Sequence, residues 1–176
     1  NELGAASDLH LIGCAYRELQ QFDAAIAAFE EARGLWKKHK EVIHVARCDQ
    51  KIASCYNRLG DGEKALERAR LALDVFETAH DHRRQIITLF EYSKALDLLE
   101  DYEEALATLD QVLTTASEEE PRDFEFIVDI ESQIASILRK VNREEEAIEI
   151  ERRLSSVRAI LADDESSNKS SDSSDN

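Results

Sequence analysis

One pattern recurs along this chain at a nearly constant interval: "LQQFDAAIAAFEEAR" at 19–33, "LGDGEKALERARLAL" at 59–73 and "LEDYEEALATLDQVL" at 99–113. Aligning the alanine inside each acidic turn gives Ala25, Ala65, Ala105 and Ala147, at spacings of 40, 40 and 42 residues. Other positions keep the same intervals: Gly13, Ala53, Ser93 and Ala135, all small; Tyr16, Tyr56, Leu96 and Leu138; and Leu19, Leu59, Leu99 and Val141. Self-similarity at roughly 20 to 50 residues restricts a chain to stacked units, each hiding its apolar face against the next.

Each unit carries two helical stretches. In the second unit, Val45, Cys48, Ile52, Cys55, Tyr56 and Leu59 recur at intervals of three and four, and Leu66, Ala69, Leu73 and Phe76 repeat the pattern after "GDG". That spacing puts them on one face of each helix. The connections "QQFD", "GDGE", "EDYE" and "NREE" bring acidic groups to the start of the next helix, where the dipole favours them. With five Gly and a single Pro, little interrupts the helices. The fold class is therefore all-α: four antiparallel pairs, with eight helices near 5–20, 23–38, 41–59, 62–79, 82–99, 102–116, 121–140 and 144–162. Pro121 is placed in the first turn of the seventh, where a missing N–H costs nothing.

The helical domain spans 1–162, with repeats at about 5–40, 41–81, 82–120 and 121–162. From Asp163 the chain reads "DDESSNKSSDSSDN", without an apolar residue. Such a segment buries nothing to offset its ordering entropy, and 163–176 is read as a disordered tail. The chain has no Met and begins at Asn1, which is read as the start of a piece of something longer.

A formal net charge of −16 argues against nucleic acid and anionic lipid, because a polyanion gains nothing by releasing their counterions. No apolar run approaches the roughly 20 residues that cross a bilayer. Cys14, Cys48 and Cys55 form no CxxC and are odd in number, which fits reduced thiols in the cytoplasm.

Gly13, Tyr16, Phe22, Ala25, Phe29 and Ala32 stand at the spacings of a tetratricopeptide repeat, which the first unit closely resembles. The second keeps Ala53, Tyr56, Gly60, Ala65 and Ala72, and the third Leu96, Tyr102, Ala105 and Leu109. The fourth keeps Ala135, Leu138 and Ala147 but has Glu144 and Glu151 where bulky apolar side chains are usual. The interval of 40 to 42 exceeds the usual 34 of that family, and Lys37, Glu77 and Ser117 replace the closing Pro. The lengthened form is similar to the repeats of kinesin light chains, Pins-type spindle-orientation adaptors and bacterial peptide-responsive regulators. The resemblance implies a right-handed α-solenoid that binds a protein or peptide in its concave groove and performs no chemistry.

In that fold the first helix of each pair lines the groove. The register assigns to it His10, Cys14 and Arg17; Arg47, Gln50, Ser54 and Asn57; Phe90, Lys94 and Asp97; and Ser132, Ser136 and Arg139. The peptide-binding set expected is Arg17, Arg47, Gln50, Asn57, Phe90, Lys94 and Arg139. The four cations along one face of an acidic molecule would favour a partner with carboxylates. The plainer reading is a solvated helix surface. The clamp that holds heat-shock chaperone tails needs Lys and Asn in the first repeat, where His10 and Cys14 stand, so that ligand is not expected.

Catalytic and cofactor chemistry is not expected. His44 and Cys48 are four apart, but no second pair completes a zinc site. Glu118, Glu119 and Glu120, and Glu144, Glu145 and Glu146, read as solvated helix starts. No nucleophile elbow, phosphate-binding loop or dinucleotide fingerprint is present. Trp36 reads as packing rather than a binding hot spot. The chain is expected to be a non-catalytic interaction scaffold; the alternative is a sensor arm of a larger multidomain protein, such as a bacterial transcriptional regulator or a signalling ATPase. Self-association through terminal repeats is a third expectation, since the last pair is polar while the first lacks an evident cap.

Overall fold

The computed structural model describes residues 1–118 and 123–156. Seven helices are bounded: α1 (Glu2–Glu18), α2 (Phe22–Lys38), α3 (Val42–Leu59), α4 (Gly62–Thr78), α5 (His82–Leu98), α6 (Tyr102–Glu118) and α7 (Phe124–Lys140). Residues 144–156 are helical and form the described part of α8. No strand occurs among the described residues. The expected tail, 163–176, and the placement of Pro121 lie outside them.

The helix starts differ from expectation where a capping side chain decides. The α1 helix begins at Glu2 rather than near residue 5, because Asn1 Oδ1 accepts from the Leu3 N–H at 3.2 Å. The α7 helix begins at Phe124 rather than 121, because Asp123 caps it by accepting from the Phe126 N–H. Asp61 and Asp81 cap α4 and α5 in the same way. Each cap satisfies a donor that the first turn leaves open, and the three aspartates also set a carboxylate at the positive end of the dipole.

The ends follow one rule as well. Gln20, Lys40, Gly60, His80, Glu100 and Asn142 all have φ between 53° and 78°. The left-handed residue reverses the chain and lets the next N–H reach back into the last turn, as Gln21 does to the Tyr16 carbonyl and Asp61 to that of Tyr56. Links within pairs and between pairs are therefore alike. Only Gly60 adopts this conformation without a Cβ penalty.

The chain forms two compact units, Asn1–Thr115 and Ala116–Asn176. In the first, each of α1 to α5 packs on its neighbour in sequence, and α3 also touches α1 and α5. First helices therefore stand side by side in one layer, and second helices form the other. The repeat alanines Ala25, Ala65 and Ala105 are fully buried. In the second unit Ala147 of α8 is likewise fully buried, and Ile130, Ala135, Ile137, Leu138 and Leu154 are buried with it. The Leu19, Leu59 and Leu99 series is exposed, since these residues sit at helix ends rather than in the layers.

Two helix-interior glycines do opposite jobs. A Cβ on Gly34 would meet nothing within 4 Å, whereas one on Gly13 would lie 2.7 Å from the buried Phe29 ring. Gly34→Ala should stabilise the protein by about 0.5–1 kcal/mol through reduced freedom of the unfolded chain. Gly13→Ala gains the same term but forces Phe29 to move, for a net loss of about 1–2 kcal/mol. Urea melts of the two variants should shift to opposite sides of the parent midpoint.

Candidate functional site

The side of the first-helix layer turned away from α2 and α4 is formed by the adjacent helices α1, α3 and α5. Residues at intervals of three and four place His10, Cys14 and Arg17 on α1, Arg47, Lys51 and Ser54 on α3, and Glu91 and Lys94 on α5 along it. Arg17 is half-buried and donates to Glu18 at 2.6 Å. Arg47 Nη1 lies 3.4 Å from His44 Nδ1. Neither Arg47 nor Lys51 has a carboxylate partner among the described residues.

These cations feel one another. Burial holds the Lys51 amine below the usual lysine range; Arg17 and Arg47 act in the same direction, and Glu91 partly opposes them. Burial, followed by Arg47, Lys51, His44 and Arg17, pushes His10 down to about 4, so it is neutral at physiological pH. Apart from the Glu91–Lys94 pair, the charge on this face is therefore carried by two guanidinium groups and one partly desolvated amine. Coulomb repulsion among them is large where water is partly excluded.

Other members of the expected set are used between helices. Gln50 is 6% exposed, and its amide donates to Thr88 Oγ1 at 2.7 Å and to the Arg84 carbonyl at 3.3 Å. Asn57 Nδ2 donates to the Glu91 carbonyl and to Glu91 Oε2, both at 2.8 Å, while its own Oδ1 is buried without a partner among the described residues. Two amides thus tie α3 to α5. Phe90 is buried, with Lys94 Nζ lying 4.2 Å from its ring centroid. Lys94 also reaches Glu91 Oε1 at 3.2 Å, so its charge is partly matched. In the second unit Arg139 spans from α7 to α8, holding Glu151 through two hydrogen bonds at 2.9 and 2.8 Å and pairing with Glu144. The polar replacements in the fourth repeat are therefore partners for that arginine.

Cys48, His44 and Trp36 all make packing contacts. Cys48 is fully buried, and burial pushes its thiol up to about 12. His44 stacks on Trp36 with ring centroids 4.3 Å apart. Trp36 belongs to a cluster with Ala6, Ala32 and Cys48. No group of three or more potential metal ligands converges among the described residues.

The tetratricopeptide-repeat family is matched twice, over residues 9–33 and 45–118. The chain is a tetratricopeptide-repeat protein. Its fold is an α-solenoid of the tetratricopeptide type, shared with solved structures at low identity. BtubC from P. vanneervenii aligns with a TM-score of 0.76 at 16% identity, over 89% of this chain and 64% of that one. Aspartyl phosphate phosphatase F from Bacillus subtilis aligns at 0.73 and 17%, over 93% and 42%. The TPR-like repeats of a kinesin light chain-type protein from Podospora anserina align at 0.65 and 16%, over 89% and 76%. No curated protein matches by sequence. This tetratricopeptide-repeat protein thus spans less than half the length of the phosphatase and about two thirds of BtubC.

Lys51 is the cation of this face that the repeat register did not select. It lies four residues after Arg47 and three before Ser54, on the same helical stripe. The register favoured Gln50 and Asn57, whose side chains turn instead toward α5. The open cleft beside α4 is of another kind: about 480 Å³, with Glu63, Glu67 and Asp74 around Leu66 and Leu71.

Proposed function

We propose that this tetratricopeptide-repeat protein is a non-catalytic interaction scaffold that holds a peptide or helix of a partner on the α1–α3–α5 face, with a partner carboxylate seated among Arg17, Arg47 and Lys51. The observation that carries the reading is the partly buried Lys51 amine, near two arginines and making no salt bridge among the described residues of a chain of charge −16, with Glu91, itself engaged by Asn57 and Lys94, as the nearby carboxylate. Folding brings like charges together here at a cost, and a bound anion relieves it. Asn57, beside the site through Glu91, gives that layer a fixed spacing. The free cysteines suit a cytoplasmic setting, and no described helix is long and apolar enough to cross a membrane.

The test uses a fluorescein-labelled peptide of alternating Glu and Leu against its Gln and Leu counterpart. Binding of the acidic peptide should weaken by at least about tenfold in the Arg47→Glu, Lys51→Glu double variant and with rising salt. Lys64→Glu, on the second-helix layer, should leave it unchanged. Equal losses in the two variants, or equal binding of the two peptides, would reject the site. A second reading is favoured by length: the chain covers 42% of the phosphatase it resembles, as a repeat arm of a larger regulatory protein would.

A further inference from the structure

Residue 71 breaks the repeat pattern. The side chains at its register in the other repeats are Glu31, Gln111 and Arg153, all polar, whereas Leu71 is apolar and 42% exposed. Stacking of the repeats therefore does not require a leucine here. Leu71 and Leu66 line the open cleft on α4, and Leu99, 40% exposed where α5 ends, lines it as well. Acidic groups edge the same cleft. Glu63 suits its place in the first turn of α4, where the dipole favours it. Glu67 and Asp74 have no such role: the first and third repeats carry Ala27 and Ala107 at one position and Gly34 and Thr114 at the other, with Glu149 and Ser156 in the fourth. None of the three carboxylates makes a salt bridge among the described residues. The cations of α4 are engaged elsewhere: Lys64 holds Asp61, Arg68 holds Asp49 and Glu30, and Arg70 donates to the Tyr92 hydroxyl of α5 at 3.3 Å. Glu63 and Glu67, one turn apart, also repel each other.

We propose that this cleft is a docking site for a basic amphipathic helix of a partner protein, with its leucines set against Leu66, Leu71 and Leu99 and its lysines or arginines over Glu67 and Asp74. Charge complementarity selects a basic occupant, because cations supplied there pair carboxylates that the chain itself leaves unpaired. The occupant is helical because the surface of α4 offers no backbone edge: an extended peptide gains no main-chain hydrogen bonds there. A helix satisfies its own and lays apolar residues three and four apart along the cleft. From Glu63 to Asp74 the acidic row spans roughly 16 Å of α4, or about three turns of such a partner. The cleft lies on the second-helix layer and the cationic face on the first, so this inference does not rest on the proposed function.

The probe is a fluorescein-labelled helical peptide of Leu, Ala and Lys, with leucines at intervals of three and four, beside a counterpart in which Gln replaces Lys. The Lys peptide should bind the parent, and the Glu67→Lys, Asp74→Lys double variant should weaken it at least about tenfold. Leu71→Gln, which copies Gln111 and leaves the charge unchanged, should weaken it at least about fivefold. The Asp8→Lys, Glu31→Lys pair makes the same change of charge outside the cleft and should cost no more than about twofold. All the altered side chains are exposed, so each variant should melt within about 2 °C of the parent. Failure of the Lys peptide to bind, equal binding of the Gln peptide, parent-like binding by Leu71→Gln, or equal losses in the two charge-reversal pairs would each overturn the proposal. So would a parent chain that sediments as a dimer dissociated by Leu71→Gln, since a second copy would then fill the cleft.

Discussion

Replacing Asp49 with alanine should lower the unfolding free energy by about 2–3 kcal/mol, seen as a lower urea midpoint with an unchanged slope. The Asp49 side chain is only 3% exposed and sits between helices, accepting from Arg33 of α2 and Arg68 of α4, each at 2.8 Å; Arg68 also reaches Glu30. One carboxylate therefore ties three helices together. Deleting it leaves two guanidinium groups facing each other across a partly dry gap. Their own exposure, 22% and 21%, lets water reach them, which keeps the cost toward the lower end of what a broken buried pair entails. An apolar solution occurs elsewhere at the same register: Leu9 and Leu89 stand at the place of Asp49, Leu73 and Leu113 at that of Arg33, and Ala28 at that of Arg68, while the fourth repeat keeps a carboxylate, Glu131, paired with Arg153. The triple variant Asp49→Leu, Arg33→Leu, Arg68→Ala should therefore recover to within about 1 kcal/mol of the parent, because the one carboxylate it leaves unpaired, Glu30, is solvent-accessible. A single variant within about 0.5 kcal/mol of the parent would show that the network adds nothing.

That cluster also marks the limit of what periodicity reveals. The interval of 40 residues and the three-and-four spacing identify the helices, their pairing and the buried alanines, because these depend on which face of a helix is apolar. They say less about ends. Asn1 and Asp123 move two helix starts by about three residues through single side-chain hydrogen bonds, and a register of apolar positions does not contain caps. Asp49 is legible in the sequence only as a departure from the leucines of the first and third repeats, one that Glu131 shares in the fourth. Lys51 escapes the register for a related reason. Side chains of α3 divide between the open face and the contact with α5, and whether residue 50 or 51 faces outward turns on a rotation of about 100° per residue. Gln50 looks like a surface residue by type; its amide is instead consumed by Thr88 and the Arg84 carbonyl.

The largest single loss should come from Phe29→Ala, at about 3–5 kcal/mol. The ring is fully buried and reaches across three helices: Gly13 and His10 on α1, Ala25 on its own helix, and Ile52 and Cys55 on α3. Its removal opens a cavity at the junction of two repeats, where the backbones are held apart by the remaining contacts and cannot close over it. Phe29→Leu retains most of the volume and should cost about 1.5 kcal/mol. The decisive measurement is the double-mutant cycle with Gly13→Ala. A methyl on residue 13 clashes with the ring edge. If that contact is why residue 13 is glycine, the methyl should be harmful beside Phe29 and harmless or stabilising in the Phe29→Leu background, where the side chain is smaller. A coupling of at least about 1 kcal/mol is expected from thermal or urea melts. Additivity of the two changes would instead mean that glycine at residue 13 serves the helix backbone, and that the close approach of α1 to α2 does not depend on the ring that fills it.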